Sequence, residues 1–118
     1  MVRRRNSVKY FAFALNLKDD PQAIAGYKEY HKNVWPEIEL VQRRVGIIKT
    51  RIFLHGRHLF MYYETTDDYN PQTAFAESMR DPKQAEWDRV MREKFQEPLP
   101  EAKPGEWWLP MEVVYTLD

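Results

Sequence analysis

GIIKTRIFLHGRHLFMYYETT, residues 46–66, sets the class of the protein. Ile47 to Leu54 and Leu59 to Thr65 are two runs rich in β-branched and aromatic residues, side chains that fit a pleated, half-buried surface. Between them stands His55-Gly56-Arg57-His58. Gly56 suits the first position of a two-residue type II′ turn, where φ is positive. The stretch predicts a β-hairpin, and the segments on either side of it determine how that hairpin is used.

Upstream, Asp19-Asp20-Pro21 supplies an N-cap candidate and an N1 proline. Apolar side chains then recur at 24, 27, 34, 38, 41 and 45 until Gly46 ends the pattern, the 3-4 spacing of a long amphipathic helix. Before it, Val8 to Leu17 is apolar and aromatic with little polar alternation, as in a strand covered on both faces. Downstream, Asp67 to Phe95 reads as helix in two pieces. The second restarts at Asp81-Pro82-Lys83-Gln84, a cap, an N1 proline and an N3 glutamine able to complete a capping box. Pro98, Pro100, Pro104 and Gly105 mark an extended loop, and Met111 to Leu117 reads as a closing strand. The order strand-helix-strand-strand-helix-strand is the split βαβ of the α+β class: a ferredoxin-like βαββαβ antiparallel sheet with both helices on one face. Such a sheet leaves its other face open. Because strand residues on both faces are apolar, a second subunit is expected there, giving a homodimer of the dimeric α/β barrel type.

The 118 residues fit one domain, 1–118, with 1–7 read as a flexible tail. Eighteen basic residues balance eighteen acidic ones, so no net field recruits nucleic acid or an anionic membrane, and Arg3-Arg4-Arg5 reads as a solvated end. Cysteine is absent, which removes disulfides and thiol chemistry and suits a reducing cytoplasm. The first apolar run is too short to span a bilayer and no cleavage site follows it, so neither membrane span nor signal peptide is expected. Seventeen aromatic residues exceed what a minimal core requires, and some are expected to line a pocket.

One residue on the helical stripe breaks its apolar character. His31 stands among Ile24, Tyr27, Val34, Ile38 and Val41, with Tyr27 four residues before it and Trp35 four after, spacings that share a helix face. Pro36 cannot donate to the carbonyl of Lys32 and pushes Trp35 out of helical geometry, so the helix is expected to kink or restart one turn beyond His31. On this pattern alone His31 reads first as a core histidine bonded to a backbone carbonyl, and second as one wall of a site. Tyr27-x-x-x-His31-x-x-x-Trp35-Pro36-Glu37 resembles the first-helix signature of the L-rhamnose mutarotase family. Similarity extends through the opening strand, the hairpin, Trp87 in the second helix and the ending Met111-Glu-x-Val-Tyr-x-Leu117.

That resemblance implies a dimer of ferredoxin-like subunits without metal or organic cofactor. It implies an isomerase that interconverts the anomers of a 6-deoxyhexose, with His31 as general acid/base and Tyr27, Trp87 and Trp35 against the sugar. Rhamnose enzymes of the family commonly carry Trp-Trp where this chain has Trp87-Asp88; the additional Trp107-Trp108 looks more like members associated with L-fucose, and the pair is expected to seal the pocket or to fasten the loop onto the body, with one of the two reaching the sugar. The chemistry suits these residues. Ring opening takes a proton from O1 and gives one to the ring oxygen, work for an imidazole whose pKa is about 6.5, while indole and phenol faces pack on a sugar's C–H groups. Tyr27 or a bound water are candidates for the second proton-handling group, with Glu37 and Asp88 ranked behind them because a helix-surface carboxylate is usually solvated. His55 and His58 flank the turn without a third ligand nearby, so no metal is expected. Two further readings fit the same residues: a non-catalytic sugar-binding module, or a haem-degrading or cofactor-free oxygenase on the same dimeric fold with His31 as axial ligand.

Overall fold

The computed structural model describes residues 8–118; the expectations for 1–7, Arg3-Arg4-Arg5 included, lie outside the described residues. Strand β1 (Val8–Leu17) is the axis of the sheet. It pairs antiparallel with β3 (His58–Thr66), Val8 opposite Thr66 through Asn16 opposite His58, and β3 pairs with β2 (Ile47–His55). The other edge of β1 meets two short strands, β4 (Gln96–Glu97) at Asn16 and Leu17 and β5 (Leu109–Pro110) at Phe13 and Ala14. The hairpin turns at Gly56, φ 61°, and Arg57 keeps a negative φ, the type II′ pattern expected from the sequence.

Four helices cover one face, and each begins with proline at N1, where the missing N–H leaves no intrahelical bond unmade. They are α1 (Pro21–Tyr30), α2 (Pro36–Arg44), α3 (Pro71–Ser78) and α4 (Pro82–Lys94). Asp20, Asn70 and Asp81 cap α1, α3 and α4 by accepting from the backbone two residues on. The long first helix is indeed broken: residues 31–35 leave the helical path and Pro36 restarts it. Gly46, φ 105°, ends α2, and its carbonyl accepts from Thr66 N, clasping the hairpin. A Cβ at Gly46 would lie 2.9 Å from Thr66 Oγ1, so both conformation and space call for glycine.

Two expectations are corrected. Gln84 does not complete a capping box; its Nε2 donates to Asp88 Oδ1 at 3.1 Å, one turn along α4. Met111 to Leu117 is not the closing strand. Pro110 has no N–H to extend the ladder, Met111 N donates to Ala12 O at 2.8 Å, and the chain then leaves the sheet, with Val114 94% and Leu117 82% exposed. The β-forming pattern of that segment is real, but it finds no backbone ladder within the described chain.

The larger core cluster joins Leu15, Leu17 and Leu59 of the sheet to Tyr27, Ile38, Trp87, Met91 and Phe95 of the helical layer. A smaller one gathers Tyr63, Tyr69 and Ala74, with Phe11 and Met61 against them. Burying an aliphatic side chain such as Leu17 contributes about 1.5–3 kcal/mol. The strands alternate accordingly: Leu59 is buried while Phe60 and Phe53 face outward, 36% and 53% exposed. No helix among the described residues is long and apolar enough to cross a membrane.

Candidate active site

Between the two core clusters the helices part, and a cavity of about 760 Å³ opens onto the inner face of the sheet, a size typical of small-molecule sites. Phe13, Thr50, Ile52, Met61 and Tyr63 lie on its sheet side. Tyr27, His31, Val34 and Ile38 bring α1 and α2 to it, Trp87, Asp88, Met91 and Arg92 bring α4, and Gly105 to Pro110 brings the loop. A smaller cleft of about 380 Å³ beside Arg43, Arg44, Asp68 and Asn70 is lined by none of the site residues expected from sequence.

His31 caps the C-terminal end of α1, where the break at residues 31–35 frees its ring from a regular helical surface. Its Nδ1 lies 2.8 Å from Tyr27 O. A carbonyl only accepts, so Nδ1 carries the proton and, in the neutral ring, Nε2 keeps the lone pair. The carbonyl bond of an ordinary core histidine is therefore present, and the same bond fixes the tautomer of a ring that borders a cavity. Burial holds the His31 pKa below its ordinary value, partly offset by the Tyr27 carbonyl.

Tyr27 is 4% exposed, and its ring lies 4.2 Å from that of His31, tilted 36°. Burial drives its phenol pKa upward, opposed by a hydrogen bond from the Gln96 side chain, so Tyr27 stays neutral through the physiological range. Trp87, 6% exposed, meets His31, Trp35 and Tyr30 in edge contacts at 5.4, 5.0 and 5.9 Å. Trp107 and Trp108 both border the cavity, and the Arg92 guanidinium over the Trp107 ring at 5.4 Å ties the loop to α4.

The structure thus brings His31, Tyr27, Trp87, Trp107 and Trp108 to one cavity. Trp35 stands behind Trp87, under Lys83 Nζ at 5.6 Å, and does not border it. Glu37 is exposed on the first turn of α2, as expected. Asp88, expected to be solvated, is instead half-buried on the cavity wall; desolvation raises its pKa, against Arg92 and Gln84, which lower it. His58 Nδ1 is bonded to Asn16 Oδ1 at 2.7 Å, and no three metal-ligating side chains converge among the described residues. Sequence reading did not place Arg92, Gln96 or the Thr50–Gln42 pair, joined by a hydrogen bond of 3.1 Å, at the site; it read Gln84 only as a cap and ranked Asp88 behind Tyr27 and water. The spacing of Gln84, Asp88 and Arg92, four residues apart on the helix that carries Trp87, was the available signal.

Comparison with known proteins gives the family of the chain. The sequence profile of the L-rhamnose mutarotase family matches residues 10–117. The chain belongs to that family. This L-rhamnose mutarotase family member is 48% identical over 114 residues to a UPF0734 protein of Dictyostelium discoideum, a match covering 93% of this chain and 90% of that one. It is 35% identical over 104 residues to the L-fucose mutarotase of Xanthomonas campestris pv. campestris, covering 86% and 82%. Its fold is that of the crystal structure of L-rhamnose mutarotase from Formosa agariphila, TM-score 0.69 at 21% identity, covering 93% of this chain and 99% of that one.

Proposed function

We propose that this family member is a sugar mutarotase that interconverts the α and β anomers of a 6-deoxyhexose, L-rhamnose or L-fucose, with His31 as general acid/base. The observation that carries the reading is a histidine with Nδ1 tied to a backbone carbonyl and Nε2 left to accept a proton, on the wall of an aromatic cavity. In the forward step Nε2 takes the proton from the anomeric hydroxyl as the C1–O5 bond breaks, and the ring oxygen gains a proton. Rotation about C1–C2 and reversal of both transfers close the other anomer. Tyr27, held neutral by burial, offers an O–H at the same wall for the second transfer, directly or through water. Trp87, Trp107 and Trp108 supply faces for the methyl group and C–H edges. Trp35 supports Trp87 from behind. Proton transfer between these groups and water suffices, so no metal or organic cofactor enters the steps. Family membership leaves the oxygenase reading without support.

Polarimetry on freshly dissolved single anomers of each sugar tests the assignment: faster approach to an unchanged equilibrium supports it, and binding without acceleration points to the sugar-binding module. The pH dependence follows from the sign of the His31 shift. The neutral ring is the base, and burial keeps it neutral below the ordinary value of about 6.5. The acidic fall of kcat/KM therefore lies below pH ~6.5; a fall centred above that value contradicts His31 as the group titrating.

We also propose that the chain works as a homodimer through the open sheet face. Ala12 and Ala14 form a flat strip there, flanked by Tyr10, Phe60 and Phe53, the last two with ring centroids 5.8 Å apart. Exposed apolar area of this kind marks an interface. Analytical ultracentrifugation of the wild type is expected to give twice the 14.3 kDa chain mass, and Phe60→Asp to return the single-chain mass. A wild-type monomer at micromolar concentration contradicts the proposal.

A further inference from the structure

The polar contacts of Asp88 run along its own helix. Its Oδ1 accepts from Gln84 Nε2 at 3.1 Å, one turn earlier on α4, and its Oδ2 lies 3.9 Å from Arg92 Nη2, one turn later. Both partners belong to its own helix, so the carboxylate joins no two elements of the fold. Yet it is withdrawn from solvent, with 26% of its side chain exposed, on the wall of the cavity that holds His31 and Trp87. A carboxylate has about four lone-pair sites; one is engaged by Gln84, and the Arg92 contact is longer than a hydrogen bond. Burial disfavours its charge more than its two neighbours restore it. Such a group keeps acceptor capacity to spare on the cavity wall.

The donors a monosaccharide brings are its hydroxyls. We propose that Asp88 is a specificity residue that accepts hydrogen bonds from ring hydroxyls of the sugar, held in place for that task by Gln84 and Arg92. The inference rests on the mutarotase reading and adds which side chain reads the hydroxyl pattern. The aromatic faces of Trp87 and Trp107 grip the apolar parts of the ligand without distinguishing hydroxyl positions, whereas a fixed carboxylate distinguishes a sugar that presents donors to it from one that does not. Proton transfer at C1 is left to His31, so Asp88 acts on binding.

The test is a titration by tryptophan fluorescence, with anomer exchange measured in parallel, on wild type, Asp88→Asn and Asp88→Ala. The probes are L-fucose, L-rhamnose and L-fucose analogues lacking the hydroxyl at C2, C3 or C4. In the wild type at least one analogue is expected to bind roughly 10- to 100-fold more weakly than the parent sugar, the range for a hydrogen bond to a charged group. In Asp88→Ala that penalty is expected to vanish, because parent and analogue bind equally weakly. Asp88→Asn keeps the acceptor for Gln84 and the side-chain shape, controls for folding, and is expected to show a reduced penalty. KM rises in both variants while kcat falls by less than about tenfold. Deoxy penalties that persist unchanged in both variants, with wild-type exchange intact, overturn the role of Asp88 alone. Wild-type protein that neither binds nor accelerates exchange of either parent sugar overturns the mutarotase reading, and this inference with it.

Discussion

His31→Ala is expected to lower catalysed anomer exchange by roughly 10²–10⁴-fold, the range for loss of a general acid/base, while leaving a folded protein that still binds the sugar. The fold tolerates the change because His31 is only partly buried and its one hydrogen bond, to Tyr27 O, closes a helix end that also accepts the backbone N–H of His31 itself. Losing such a bond costs about 1 kcal/mol. Circular dichroism and sugar titration separate the outcomes. Unchanged binding with lost exchange supports a proton-transfer role, whereas an alanine variant that exchanges anomers at the wild-type rate removes His31 from the chemistry.

Trp87→Ala carries the largest expected effect on stability, about 3–5 kcal/mol, the cost of truncating a buried aromatic residue to alanine. Trp87 is the residue on which both the fold and the cavity depend: Tyr30, His31 and Trp35 all place ring edges or faces against it from outside α4. Its loss removes packing for the α1–α2 break and one wall of the cavity together. Against a typical domain stability of about 5–15 kcal/mol, the variant is expected to unfold at a markedly lower urea concentration. Trp87→Phe, which keeps a ring but not the indole span, should recover most of the stability and less of the sugar affinity. An unfolding free energy within about 1 kcal/mol of wild type in the alanine variant would show that the cluster does not depend on this ring.

Much of this architecture is local and therefore legible in sequence. Gly56 between two β-rich runs specifies the II′ hairpin, and Pro36 dictates the helix break after His31, because each acts through its own backbone. The aromatic and histidine members of the cavity wall were legible, because they share the 3-4 spacing of α1 or stand out by residue type. What escaped depended on partners distant in sequence. Met111 to Leu117 has strand propensity, but propensity does not say whether a neighbour is available, and β4 and β5 already meet the relevant edge of β1. Asp88 reads as a surface carboxylate until the Trp107 loop folds over α4 beside it. Trp35 shares the helical spacing of His31, yet Pro36 turns it to pack behind Trp87 and away from the cavity.

Saturation-transfer NMR on L-fucose and L-rhamnose at anomeric equilibrium bears on the assignment with the fewest intervening steps. Irradiating the H1 resonance of one anomer in the presence of catalytic protein should reduce the intensity of the other, for at least one of the two sugars, without altering the equilibrium ratio, and His31→Ala should abolish the transfer. No transfer above the uncatalysed rate for either sugar, with wild-type protein shown to be folded, would contradict the mutarotase assignment.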